Sequence, residues 1–111
     1  MDKIFFKDED IKLEDLGNGL SRKICAYNDD LMVCRVHFKK DAVGKMHTHP
    51  HSQITYVLSG SFEVTCEGKT SILRAGDSVY QAGNLKHGLV CLEEGTILDI
   101  FTPCRNDFLN K

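Results

Sequence analysis

Gly44 to Gly60 reads GKMHTHPHSQITYVLSG and places His47, His49, His51 and Gln53 within seven residues before passing into apolar alternation. Side chains at i and i+2 of a strand share a face, so a strand over Met46 to His49 presents two imidazoles side by side, as metal ligation requires. Gln53 has the same parity. It lies beyond Pro50, which removes a backbone donor and interrupts strands, so its approach depends on how the chain bends there.

A second stretch, Gly76 to Gly88 (GDSVYQAGNLKHG), is a short apolar strand followed by a bend at Gly83-Asn84 that delivers His87. Neutral imidazoles from His47, His49 and His87 with the amide oxygen of Gln53 make a mixed N/O donor set. That set suits one divalent transition ion such as Zn, Ni, Fe, Mn or Co and does not select among them. His51 follows Pro50 and reads as a solvated or supporting residue; His37 sits in a strand with no partner in sequence. Neither enters the ligand set.

These spacings resemble the two motifs of the cupin superfamily. The first motif is a Gly, five residues, HxH, three or four residues, a Glu, six residues and a Gly. His47-Thr48-His49, Gln53 and Gly60 reproduce it, with Gly44 closer to His47 than the pattern asks. The second, a Gly, five residues, PxG, two residues and a His, maps onto Gly76, Ala82, Asn84 and His87. Ala replaces Pro, and Asn replaces Gly at a position where Asn tolerates left-handed backbone. The resemblance implies an all-β fold, a double-sheet jelly roll, and its core motifs cover about residues 31–102.

The 111 residues suffice for one domain, 1–111, with a single core. The formal charge of −2, without a basic block, leaves no electrostatic footprint for nucleic acid, and no apolar run approaches membrane-spanning length. The opening MDKIFFKDEDIKLEDL is charged throughout, unlike a secretory signal, and the five scattered cysteines read as small buried hydrophobes of a reducing compartment. A cytoplasmic location is expected.

Short strands punctuated by Gly and Asn, without helical periodicity, agree with the all-β expectation. Lys3 to Phe6 is a candidate edge strand, and Leu20 to Tyr27 and Leu31 to Phe38 form a hairpin around Asn28-Asp29-Asp30. Lys39 to Lys45 reads as a loop. Strands are then expected over Gln53 to Ser59, Ser61 to Cys66, Lys69 to Leu73 and Ser78 to Gln81. Gly88 to Glu93 and Thr96 to Thr102 read as a last hairpin around Glu94-Gly95. Pro103 to Asn110 has the character of a short C-terminal helical turn, with Phe108 and Leu109 docking on the barrel.

In the last strand, Ile97, Asp99 and Phe101 share one face, and Leu98 and Ile100 form the other, which reads as the core face. Asp99 then faces either solvent or a cavity, with solvent the commoner case, and Arg105 reads as a surface cation. A closer resemblance changes that weighting. HTHPHSQITYVLSGSFEV, GDSVY, the His87-Gly88 turn and DIFTPCRNDFL are similar to the small cupins of pectin and alginate catabolism, which linearise 4,5-unsaturated uronate monosaccharides.

That resemblance implies metal ligation by His47, His49, Gln53 and His87, and a substrate pocket lined by Asp99, Phe101 and Arg105. Asp99 is then the candidate proton-transfer group, Arg105 the fork for the substrate carboxylate and Phe101 an apolar wall. With Gln53 where Glu is usual, the ion's charge stays uncompensated and favours anionic ligands. The implied partner is a small anionic sugar acid, and the chain is expected to form a homodimer. Two other classes use the same scaffold: an iron-dependent dioxygenase, and a sugar-binding sensor without catalysis.

Overall fold

The computed structural model describes Lys3 to Asn110; Met1, Asp2 and Lys111, the ends of the expected 1–111 domain, lie outside the described residues. In chain order the strands are β1 Glu14–Gly17, β2 Leu20–Tyr27, β3 Met32–Phe38, β4 Val43–His47, β5 Ser52–Val57, β6 Ser61–Cys66, β7 Lys69–Arg74, β8 Ser78–Gln81, β9 His87–Glu93 and β10 Gly95–Thr102. A six-stranded antiparallel sheet has the order β1-β2-β3-β10-β5-β8, and a four-stranded sheet the order β4-β9-β6-β7. This is the double-sheet jelly roll expected from the motifs. Among the described residues the helical structure is two 3-10 turns, Asp8–Asp10 and Asn106–Leu109, and no helix is long and apolar enough to cross a membrane.

Period-two alternation builds the core. From β3, Met32, Cys34, Val36 and Phe38 point inward, and they meet Val57 of β5, Phe62 and Val64 of β6, Cys91 of β9 and Ile97 and Phe101 of β10. Phe38 and Phe62 join the two sheets edge to face, with centroids 5.4 Å apart. The expected C-terminal turn is present. Its Phe108 packs edge-on to Phe101 at 5.6 Å, and Leu109 docks on the core beside it.

Four local expectations are corrected. Lys3 to Phe6 forms no strand; the edge strand is β1, paired with β2 through a turn in which Gly17, Asn18 and Gly19 all have positive φ. β4 begins at Val43 and ends at His47, because pairing of Gly44 with Leu89 recruits residues that read as loop. His49 therefore lies just past the strand. β9 and β10 are not a hairpin but enter different sheets.

That crossing depends on glycine. Gly60 has φ +80°, and a Cβ there would stand 2.5 Å from the Glu93 carbonyl oxygen; a Cβ on Gly95 would overlap the Ser59 carbonyl. The fourth correction concerns β10, whose interior face carries Ile97, Asp99 and Phe101. Leu98 and Ile100 lie half-buried on the outer face, opposite Tyr56 and Ile54 of β5. An apolar outer face and a carboxylate on the inner one invert the usual pattern, and the inversion places Asp99 at the site.

Candidate metal centre and cavity

His47 ends β4 and His87 begins β9, and the two are direct cross-strand partners. Their rings are 4.5 Å apart, and His49 lies 4.8 Å from His87 and 5.3 Å from His47, centroid to centroid. One ring nitrogen from each of the three falls within 4.8 Å of the others. The bend bearing His87 is also clamped to the first motif. The Asn84 amide donates to the His49 carbonyl at 2.7 Å, and a Cβ on Gly83 would overlap the Pro50 carbonyl oxygen. Asn84 adopts the left-handed φ of 66° that its place in the motif demands.

Each of these histidines is oriented by a backbone carbonyl. Nδ1–H of His47 donates to Lys45 at 2.7 Å, that of His49 to His51 at 2.9 Å and that of His87 to Leu85 at 2.9 Å. A carbonyl can only accept, so all three rings carry the proton on Nδ1 and keep a lone pair on Nε2. Burial pushes the His49 and His87 pKa values down, because the charged imidazolium loses its hydration there, so neutral rings are favoured.

Gln53, at the start of β5, completes the set. Its Nε2 donates to Thr55 Oγ1 at 3.0 Å and to Asp99 Oδ1 at 2.8 Å, which turns Oε1 toward His49 Nε2, 3.0 Å away. Two lone-pair acceptors at that distance repel unless a cation lies between or beside them. His87 Nε2, moreover, is buried with no hydrogen-bond partner among the described residues. Three imidazole lone pairs and one amide oxygen converging in this way fit a divalent transition ion.

Beside this cluster lies a cavity of about 240 Å³ whose lining includes His47, Gln53, His87, Asp99, Phe101 and Arg105. Asp99 stands inside the barrel, keeping some exposure because it borders the cavity. Burial pushes its carboxyl pKa above the usual range, against hydrogen bonds from Thr55 and Gln53 and the nearby His47 and Arg105. Thr55 Oγ1 donates to the same Oδ1 at 2.7 Å, so both donors use one oxygen and Oδ2 is left to carry a proton. Opposite Asp99 in the ladder, Cys34 is buried with its thiol pushed up to about 12, by burial first and by Asp99 next.

Arg105 is buried, contrary to its reading as a surface cation, and stacks over Phe101 at 5.0 Å and Phe108 at 4.1 Å. Its Nε and Nη2 donate to the two oxygens of Asp107 at 3.0 and 2.8 Å. The edge expected to receive a substrate carboxylate is thus partly engaged, which leaves the two Nη1 protons and the second Nη2 proton as donors. His51 stays outside the cluster and serves through its carbonyl; His37 pairs with Thr96 and Glu94 on the outer surface. Sequence reasoning missed Thr55 and Gln81, both buried on the inner faces of β5 and β8, whose polar character within apolar strands was the available signal.

Comparison with known proteins agrees with this architecture. Residues 34–101 match the cupin domain family. The chain is 50% identical over 107 residues to the pectin degradation protein KdgF of Dickeya dadantii (strain 3937), covering 95% of this chain and 97% of that one. An RmlC-like cupin from Shewanella frigidimarina superposes with a TM-score of 0.92 at 39% identity, over 96% of each chain. KdgF from Halomonas sp. superposes at 0.91 with 38% identity, over 96% of this chain and 99% of its own. With both histidine motifs at the ends of paired strands and a family match across most of the barrel, the chain belongs to the cupin family.

Proposed function

We propose that this protein is a metal-dependent enzyme of pectin breakdown that linearises 4,5-unsaturated uronate monosaccharides. The observation that carries the reading is the convergence of His47, His49, His87 and Gln53 beside a cavity that also holds Asp99, Phe101 and Arg105. The 50% identity to a pectin degradation protein across nearly the whole chain supports it. A cavity of about 240 Å³ is below the range common for drug-sized ligands, which suits one sugar ring better than an oligosaccharide.

The four residues of the cluster would hold the ion, and a bound divalent ion supplies Lewis acidity toward the carboxylate and ring oxygen of an anionic sugar. The reaction is an isomerisation. The bond from C1 to the ring oxygen breaks as the anomeric hydroxyl gives up its proton and becomes an aldehyde; the ring oxygen leaves as the C5 enolate oxygen, and a proton arriving at C4, balancing the one released, makes the 5-keto acid. Asp99 is the proton donor in this reading: its raised pKa retains a proton that an exposed Asp would have lost, and its Oδ2 is unencumbered. Arg105 presents Nη1 to the substrate carboxylate while Asp107 fixes its plane, and Phe101 forms the apolar wall.

We also take the protein to be cytoplasmic and homodimeric. The test is proton NMR of unsaturated galacturonate with metal-loaded protein in deuterated water. Appearance of the 5-keto acid with deuterium at C4, faster than without protein, is expected. An unchanged spontaneous rate on this substrate and on its alginate-derived counterpart would remove the assignment.

A further inference from the structure

Arg22 occupies a position where a charge is out of place. It lies on β2 between Leu20 and Ile24, which pack against the core, and its cross-strand partner is the buried Val36. Its side chain therefore points into the sandwich and lines the same cavity as His47, Asp99 and Arg105. Arg22 is half-buried, its side chain only 14% exposed, and a guanidinium so far out of water is costly unless its donors are used. Nε and Nη2 donate to Glu14 of β1 at 3.2 and 3.3 Å, and its face covers the Phe108 ring at 4.0 Å. Among the described residues Nη1 has no hydrogen-bond partner.

Arg105 repeats this arrangement. It too is docked through Nε and Nη2 on a carboxylate, stacks on Phe108 and, among the described residues, keeps Nη1 unengaged. Both guanidinium carbons lie over one ring at 4.0 and 4.1 Å, so the two charges are within about 8 Å of each other. Both guanidiniums therefore share the Phe108 ring as a packing surface. Two like charges on one small cavity wall are held by Glu14 and Asp107, and an electron-rich ligand bridging them relieves the remaining repulsion.

We propose that Arg22 is a second substrate-binding residue that donates to the anomeric end of the uronate while Arg105 takes its carboxylate. The two guanidiniums are fixed by different carboxylates, Glu14 of β1 and Asp107 after β10, so each offers its own donors to a different group of one ligand. Placement at the anomeric oxygen also suits the reaction, since that oxygen becomes more negative as its proton departs. Glu14 is the positioning residue behind Arg22. The inference rests on the uronate reading above.

Direct binding by metal-loaded protein separates the two. Galacturonate and its 1,5-anhydro analogue, which lacks the anomeric oxygen, are titrated by NMR or calorimetry against wild type, Arg22→Gln and Arg22→Lys. Wild type is expected to prefer galacturonate by about tenfold or more, the scale of one hydrogen bond from a charged donor. Arg22→Gln should lose that preference while still binding metal, with Arg22→Lys in between. A purely structural Arg22 weakens both ligands equally, and that result, or a preference unchanged in Arg22→Gln, overturns the proposal. If wild type turns over unsaturated uronate yet shows no preference, only this inference falls; if it neither binds galacturonate nor turns over the unsaturated sugar, the uronate reading falls with it.

Discussion

Gln53 Nε2 donates to Asp99 Oδ1 at 2.8 Å, joining a candidate metal ligand directly to the candidate proton donor. One amide thus does two jobs: its oxygen faces the histidines and its nitrogen faces the carboxyl. A glutamate there has no donor to give. It would set a second carboxylate against Asp99.

Gln53→Glu is therefore expected to tighten metal binding, since the added charge compensates the ion, while raising KM for an anionic substrate. The neighbouring carboxylate should also push the Asp99 pKa higher, so the alkaline limb of the activity profile moves to higher pH. Chelator competition and kcat/KM against pH check both. Tighter metal binding with an unchanged KM and pH profile would show that position 53 communicates with neither substrate nor Asp99.

Thr55 is almost fully buried, and its hydroxyl accepts from Gln53 and donates to Asp99. Thr55→Val keeps the shape and removes the hydroxyl, so a loss of about 1–3 kcal/mol in unfolding free energy is expected, with metal retained. Turnover should fall as well, because Asp99 and Gln53 lose a shared anchor. Denaturant unfolding and steady-state kinetics measure the two effects; wild-type values in both would mean the hydroxyl is dispensable.

How far the site could be read from sequence differed from residue to residue. His47, His49, His87 and Gln53 are legible because ligand spacing is a local property, and the structure brings them together although His49 lies beyond the strand expected to carry it. Asp99 and Arg105 needed a family resemblance, because an isolated Asp on a strand and an Arg after a Pro look like surface residues. Arg22 and Thr55 were not legible. They come together only when β2 and β5, separated along the chain, line one cavity. The β9–β10 connection misled for the same reason, since choice of sheet is a non-local outcome.

Asp99→Asn should lower turnover by about a hundredfold or more with fold and metal intact. It should also stabilise the metal-free protein at neutral pH. Burial raises the native pKa of Asp99 above 3.8, so the native state holds a proton that the unfolded chain has released, and stability declines as pH rises from about 3.8 through the native value. Asparagine has no such penalty. The advantage of the variant in urea unfolding should be full above the native pKa and vanish below 3.8, and a variant no more stable at neutral pH would mean that Asp99 is not held at a solvation cost.

The most direct measurement of the account is loss of the enol-ether ultraviolet absorbance of unsaturated galacturonate, corrected for spontaneous opening. It compares metal-loaded wild type, chelator-stripped wild type and His87→Ala. The metal-loaded protein is expected to accelerate the loss, stripping to abolish the acceleration and added divalent ion to restore it, with His87→Ala binding metal poorly and remaining slow. Full acceleration by the stripped protein, or none by the metal-loaded one, would contradict metal-dependent linearisation at the His47, His49, His87 and Gln53 centre.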